Sequence, residues 1–320
     1  MTFRLVAASA PPMDHAVIAE RAGGYPVEIF SAPLTTVEEV AEHTVGADGV
    51  LVATNPLPRP LVEAFAPSVR IIGRAGVGLD AIDLEAAAER GVAVFHTPDY
   101  CVPEVATHAV ALLLALNRRL IDSDRIARSD WHGWRAIAPI KPLDEQTVGL
   151  VGFGRIGRAV AERVRPLVAS VLAYDPYGQV NEPGVLACPS LDQLLTSSDV
   201  VSLHLPLSPE TRRFIGAPEL ARMRPGAALV NVSRGGLVDE PALAEALASG
   251  HLSGAALDVM AEEPPPLSSP LLSAPNVVLS PHTAWYSVAS ERRVWTMTLG
   301  GVVDVLEGRP PTAGRLVPVG

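Results

Sequence analysis

The chain has 320 residues, 48% of them apolar and 19% charged, which is enough for two packed cores and too apolar for a disordered chain. A formal net charge of -10 excludes the basic footprint that nucleic-acid binding requires. Two cysteines, Cys101 and Cys188, stand in no metal-like or disulfide-like spacing and point to a reducing cytoplasm. The first ten residues carry one Arg and an apolar stretch too short for a signal peptide, so they read as the start of a strand. Short apolar runs at 3–9, 27–30, 49–54 and 69–75 follow the strand pattern, and between them 36–44 and 83–91 carry Glu and Ala at helical spacing. That alternation is the mark of βαβ units on a parallel sheet.

An Ala/Leu-rich helix is predicted over about 104–120; its apolar run at 109–116 is too short to span a bilayer. A second series of strands follows at 147–154, 171–175, 199–205, 227–233, 254–259 and 276–280, with a Pro-rich loop at 262–270. The last helix, 289–308, has no strand of that series left to cover, so it is expected to return to the first half. The predicted class is α/β, with two doubly wound parallel-sheet domains. Residues 1–98 plus 286–320 form one domain, and residues 99–285 are inserted into it as the other.

The stretch TVGLVGFGRIG contains Gly152, Gly154 and Gly157 as G-x-G-x-x-G, between a strand and a helix. The first glycine permits a tight turn, the second lets a pyrophosphate approach the backbone, and the third lets the helix pack on the strand. The helix start then offers N–H groups to phosphate. The next strand ends in Asp175, about 20 residues on, where an acid meets the ribose hydroxyls. A carboxylate repels a 2′-phosphate and no Arg follows in DPYGQ, so the expected cofactor is NAD rather than NADP. A substrate domain wrapped around such a module would put the active site in the cleft between the two.

Three later strand ends carry ionisable groups: Arg234, then Asp258 with Glu262 and Glu263, then His282. Ligands of open α/β sheets bind at the carboxyl ends of strands. Reduction of a ketone by hydride produces an alkoxide, which needs a proton donor such as His. A carboxylate beside that His favours its charged form, and an Arg can hold a substrate carboxylate in a fork. Spacing alone does not choose between Glu262 and Glu263. Each of the three groups, taken singly, is more often structural than catalytic. His204 ends a strand and flanks the cofactor region; His15, His43, His132 and His251 read as surface. No His/Cys/Asp cluster has metal-ligand spacing, so no metal is expected.

The stretches GRAGVGLDAID (73–83), VGLVGFGRIG (148–157), SLHLPLSPETR (202–212), NVSRGGLVDE (231–240), ALDVMAEEP (256–264) and SPHTAW (280–285) together resemble the D-isomer-specific 2-hydroxyacid dehydrogenases over nearly the whole chain. The resemblance implies a Rossmann NAD domain inserted into a flavodoxin-like substrate domain, a homodimer, and reversible conversion of a 2-oxo acid to a D-2-hydroxy acid. It implies that His282 is the acid and base, paired with Glu263, and that Arg234 binds the substrate. Gly152, Gly154, Arg155, Ile156, Gly157, Asp175, His204, Pro206, Thr211, Ser233, Arg234, Asp258 and His282 would contact the cofactor. Val77 and Gly78, in the Gly76-Val77-Gly78 turn, would meet the substrate carboxylate.

Residues 98–120 and 281–287 are similar to the subgroup near the C-terminal binding proteins, which implies substrate contacts from Arg74 and Trp285. Thr107, Ala109 and Val77 depart from residues common in these relatives. Two other functions fit much of the same motif set: an NAD-sensing regulatory protein, and a phosphite or formate dehydrogenase of the same fold. Binding NAD alone needs none of Arg234, Glu263 and His282, which weighs against the regulator.

Overall fold

The computed structural model describes residues 2–8, 18 and 24–318. They fall into two compact units, Met1–Cys101 with Tyr286–Gly320, and Val102–Trp285. Among the described residues no helix is long and apolar enough to cross a membrane.

The first unit is built on six strands: β1 (Phe3–Ala8), β2 (Val27–Ala32), β3 (Gly49–Val52), β4 (Ile71–Arg74), β5 (Ala93–His96) and, from the far end of the chain, β13 (Arg315–Leu316). Their order is β13-β5-β4-β3-β1-β2. The five long strands pair in parallel in the flavodoxin order 2-1-3-4-5, and β13 adds an antiparallel edge. β3 is buried at every position, as expected of a parallel strand covered on both faces. The strand expected over 3–9 runs from Phe3 to Ala8; Ser9 and His15 lie outside the described residues. β5 and β13 carry no separate signal in the sequence, because each is short and opens from a turn.

Local sequence sets the helix boundaries. Thr36 and Glu39 form a reciprocal capping box at the start of Val37–His43, and Asp83 caps Leu84–Glu89 through the Ala86 N–H. The last helix, Val288–Leu306, packs on β4 and β5 of this unit. It approaches so closely that glycine is required on both sides. A Cβ on Gly301 would stand 2.1 Å from the Phe95 ring, and one on Gly73 would stand 2.6 Å from Val302.

The second unit holds β6 (Thr147–Val151), β7 (Ser170–Tyr174), β8 (Leu186–Ala187), β9 (Val200–Leu203), β10 (Ala228–Asn231), β11 (Gly254–Leu257) and β12 (Val277–Leu279). The order is β12-β11-β10-β9-β6-β7-β8, all parallel. Counted within the unit, this is the Rossmann order 3-2-1-4-5-6 with a seventh strand added, and it reverses between β6 and β9. The predicted 104–120 helix is observed as Val102–Asn117; the left-handed backbone of Arg119 then starts a separate helix, Leu120–Ser129. The longer helix packs on β10, β11 and the helix Arg155–Val164.

Substituting Gly301→Val forces side-chain volume into the Phe95 ring, and overpacking of this kind costs about 1–3 kcal/mol. The expected result is a lower urea midpoint with an unchanged m-value; a midpoint equal to that of the parent protein would show that the contact yields freely.

Candidate functional site

In the second unit the strand order reverses beside the glycine loop. Gly152 has φ +93, and a Cβ there would lie 2.6 Å from the His204 backbone carbonyl; a Cβ on Gly157 would lie 2.3 Å from the Gly152 oxygen. Those two glycines answer to the fold. Gly154 differs, because nothing lies within 4 Å of its Cβ position. It is the N-cap of the helix beginning at Arg155 and Ile156, and it supplies no capping side chain. First-turn N–H groups therefore face a place where a phosphate can approach.

Asp175 follows β7 and is tied to this loop: Oδ2 accepts the Phe153 N–H at 2.7 Å and Oδ1 accepts the Tyr177 N–H at 2.8 Å. The carboxylate that would meet ribose hydroxyls is thus fixed by the same backbone that would cradle pyrophosphate. These residues fit a dinucleotide.

The rim of the loop is similarly organised. Thr211 is buried; its hydroxyl donates to the Pro206 carbonyl at 2.8 Å and accepts the Ser208 N–H at 2.7 Å. Ser233 Oγ donates to the Leu203 carbonyl, which joins the ends of β9 and β10. His204 follows β9, and both of its ring nitrogens are buried without a hydrogen-bond partner. Burial of its ring nitrogens pushes its pKa down to about 4, so the ring is neutral near pH 7.

Arg234, Glu263 and His282 come from the loops after β10, β11 and β12. Asn231 forms the first of these turns by accepting the Ser233 N–H and donating to the Arg234 carbonyl. A Cβ on Gly235 would meet the Met260 backbone at 1.9 Å, so the Arg234 loop lies directly on the turn leading to Glu263. That turn is held twice: Glu263 accepts the Met260 N–H, and Glu240 accepts the Ala261 N–H at 2.6 Å.

Glu263 Oε2 stands 2.6 Å from His282 Nδ1. Burial alone would push the Glu263 carboxyl up, but the His282 hydrogen bond and charge, the Met260 N–H and the Arg234 charge together hold it below its ordinary value. It is a carboxylate at neutral pH, so the shared proton sits on Nδ1 and leaves Nε2 for other chemistry. Glu263, not Glu262, is the residue on the histidine.

The backbone of His282 is left-handed, with φ +53, an uncommon conformation for a side chain of this size. Asp258 holds it there. This buried carboxylate accepts the Thr283 N–H through Oδ1 and the Ala284 N–H through Oδ2, both at 2.9 Å, and the Ser280 hydroxyl at 2.6 Å. Its backbone carbonyl accepts the His282 N–H. Trp285 follows this turn, partly buried.

In the first unit, the Gly76-Val77-Gly78 turn has all its carbonyls engaged. The Thr97 N–H donates to Gly76, His96 Nδ1 meets Val77 at 2.9 Å, and Arg74 Nε donates to Gly78. Arg74 also donates to the Ala75 carbonyl at 2.6 Å. With its carbonyls held, the turn can present the N–H groups of Val77 and Gly78 outward. Sequence reading missed the supporting residues Asn231, Glu240, His96 and His108. Asn231 had a signal, an Asx turn directly after a strand; the others are joined to their partners only by the fold.

A sequence model of the D-isomer specific 2-hydroxyacid dehydrogenase NAD-binding domain matches residues 110–284. The D-3-phosphoglycerate dehydrogenase of Mycobacterium leprae is 42% identical over 276 residues, which are 85% of this chain and 50% of the relative. The chain therefore spans about half the length of that relative. The glycerate dehydrogenase of Methylorubrum extorquens is 34% identical over 86% of this chain and 88% of its own length. Among solved structures, an NADPH-dependent glyoxylate/hydroxypyruvate reductase from Sinorhizobium meliloti, in complex with NADP and malonate, superposes with a TM-score of 0.86. It is 30% identical and covers 98% of this chain and 97% of its own.

The half-buried His204, with its ring nitrogens shielded, also carries a pH dependence. Its folded pKa of about 4 lies below the ordinary 6.5, so the unfolded chain binds the proton first as pH falls. Stability from this group is complete above about pH 6.5 and is lost down to about pH 4, to a limit of about 3 kcal/mol. Replacing His204 by Leu is expected to flatten the fall in urea midpoint across that window. A fall as steep as in the parent protein would show that the ring is hydrated or paired when the protein is in solution.

Proposed function

Because the chain belongs to the D-isomer-specific 2-hydroxyacid dehydrogenase family, we propose that it reduces a 2-oxo acid to a D-2-hydroxy acid with NADH, in a reversible reaction. The observation that carries this reading is the Glu263–His282 pair at 2.6 Å, with Arg234 acting electrostatically on the same carboxylate. When bound, the nicotinamide supplies the hydride. The chain's own groups then have distinct tasks. Arg234 holds the substrate carboxylate and polarises the carbonyl. Glu263 fixes the Nδ1–H form of His282 and the orientation of its ring. His282 Nε2 gives a proton to the oxygen as it becomes an alkoxide, and takes one back in oxidation.

The cofactor residues proposed are Gly152, Gly154, Arg155, Ile156, Gly157, Asp175, His204, Pro206, Thr211, Ser233, Arg234, Asp258 and His282. Those proposed for substrate are Arg74, Val77, Gly78, Arg234, His282 and Trp285. The units are proposed to act as a substrate domain, 1–98 with 286–320, and an NAD domain, 99–285. Two copies are proposed to pair through 120–136, a segment whose helix Leu120–Ser129 has no buried residue and which exposes Leu120, Ile121, Trp131 and Trp134. Cys101 and Cys188 are both free and buried, which supports a cytoplasmic setting.

An NADH-oxidation screen over glyoxylate, pyruvate, hydroxypyruvate, phenylpyruvate and 4-methylthio-2-oxobutyrate tests the activity, and silence across it would favour an NAD-sensing role. His282→Ala is expected to lower turnover by about 10²–10⁴-fold with NADH affinity retained; wild-type turnover would remove the acid role. The fixed Asp175 carboxylate predicts a kcat/KM for NADH well above that for NADPH, and Asp175→Ala is expected to narrow the gap. Equal efficiencies in the parent protein would end the NAD assignment.

A further inference from the structure

Four of the five residues from Ser280 to Ala284 are bound by a single residue, Asp258. Ser280 donates through its hydroxyl, Thr283 and Ala284 through their N–H groups to the carboxylate, and His282 through its N–H to the carbonyl. The carboxylate is 1% exposed. A carboxylate buried this deeply persists only when donors satisfy its lone pairs. Among the described residues, one further side chain stands beside it, the His108 ring. His108 Nε2 is 3.5 Å from Asp258 Oδ1 and 2.9 Å from Ser280 Oγ.

The direction of the chain of hydrogen bonds follows from its members. An ionised carboxylate only accepts, so the single Ser280 hydroxyl proton points at Asp258. Ser280 Oγ is then the acceptor for His108, and His108 must carry a proton on Nε2. His108 lies on the helix Val102–Asn117, on the same side as the buried Val105 and Leu112, three before and four after it. That helix packs on β10 and β11, which brings the ring to the loop 172 residues further along the chain.

We propose that His108 is a positioning residue for proton transfer. Through Ser280 it fixes the Asp258 carboxylate, and Asp258 fixes the left-handed backbone that aims the His282 ring at Glu263. The inference rests on His282 being the proton-transferring group. His108 has no task in the hydride step itself and touches neither reacting atom. The arrangement His108–Ser280–Asp258 instead controls how precisely the Nε2 atom of His282 is presented.

The test uses the full chain with saturating NADH and four variants: His108→Ala, His108→Gln, Ser280→Ala and the double variant His108→Ala with Ser280→Ala. The first readout is amide hydrogen exchange of the peptide spanning Ser280 to Trp285, which needs no substrate. In His108→Ala the Thr283 and Ala284 amides are expected to exchange faster, while peptides of β6, β9 and β10 keep their protection. The second readout is reduction of glyoxylate, where kcat is expected to fall on the order of tenfold, with KM for glyoxylate and for NADH little changed. His108→Gln, which keeps an N–H donor at similar reach, restores most of both. The double variant His108→Ala with Ser280→Ala is expected to lose no more than the worse single variant, because the two act in one chain of bonds.

Unchanged exchange at Thr283 and Ala284 in His108→Ala overturns the proposal. So does a protection loss spread evenly over the unit, which marks a merely structural histidine, or failure of the Gln variant to restore either readout. If His282→Ala keeps wild-type turnover, or no acid of the 2-oxo acid panel is reduced, the acid reading fails instead, and the exchange result still decides whether His108 holds the loop.

Discussion

The candidate chemistry of the second unit depends on one buried carboxylate. Asp258 sits at the end of β11 with almost no solvent exposure, and burying a charge this deeply is costly unless donors surround it. The donors are the loop that follows β12, so the requirement to satisfy Asp258 dictates the path of residues 280–284. His282 is forced into a left-handed backbone that costs of order 1 kcal/mol or more and persists because its neighbours' N–H groups are taken. The strain and the buried charge stabilise each other.

The parallel sheet explains why these groups meet at all. Every strand of the second unit runs the same way, so the ends of β6, β9, β10, β11 and β12 open on one edge. The glycine loop, His204, Arg234, Asp258 and His282 occupy successive positions along that edge. Within it, Gly235 lets the Arg234 turn lie against Met260, and Glu240 holds the Ala261 amide. The placement of Glu263 on His282 therefore follows from backbone contacts, not from the reach of flexible side chains.

Much of this was legible from residue types. Alternating strands and helices indicated two parallel sheets, and the glycine spacing with Asp175 marked the dinucleotide loop, because those features impose local steric demands that a sequence must answer. Short or late elements were not legible. β13 is two residues that pair with β5 only after the last helix has returned, and the break at Arg119 rests on one left-handed residue with no glycine to announce it. Glu262 and Glu263 are indistinguishable by spacing, since both follow the same strand; the turn held by Met260 and Ala261 separates them. His108 is the clearest limit. Its ring meets Ser280 across 172 residues, and its place between Val105 and Leu112 marks the inner face of the helix without naming that partner.

The two strand-end histidines show how environment assigns chemistry. His204 and His282 both follow β-strands on the same sheet edge, and by residue type either could serve as an acid. His204 is half-buried, with both ring nitrogens shielded and without a partner, and its pKa is driven down to about 4. It contributes shape and an uncharged surface beside the glycine loop, where a cation would need a counter-charge the site does not offer. His282 has the opposite setting: it is partly exposed, and a carboxylate held ionised by Arg234 and the Met260 amide is bonded to its Nδ1. A carboxylate on one ring and none on the other separates a proton donor from a structural ring. On this edge the separation comes from a single difference. A carboxylate reaches one ring through a close backbone turn, and the nitrogens of the other are buried without a partner.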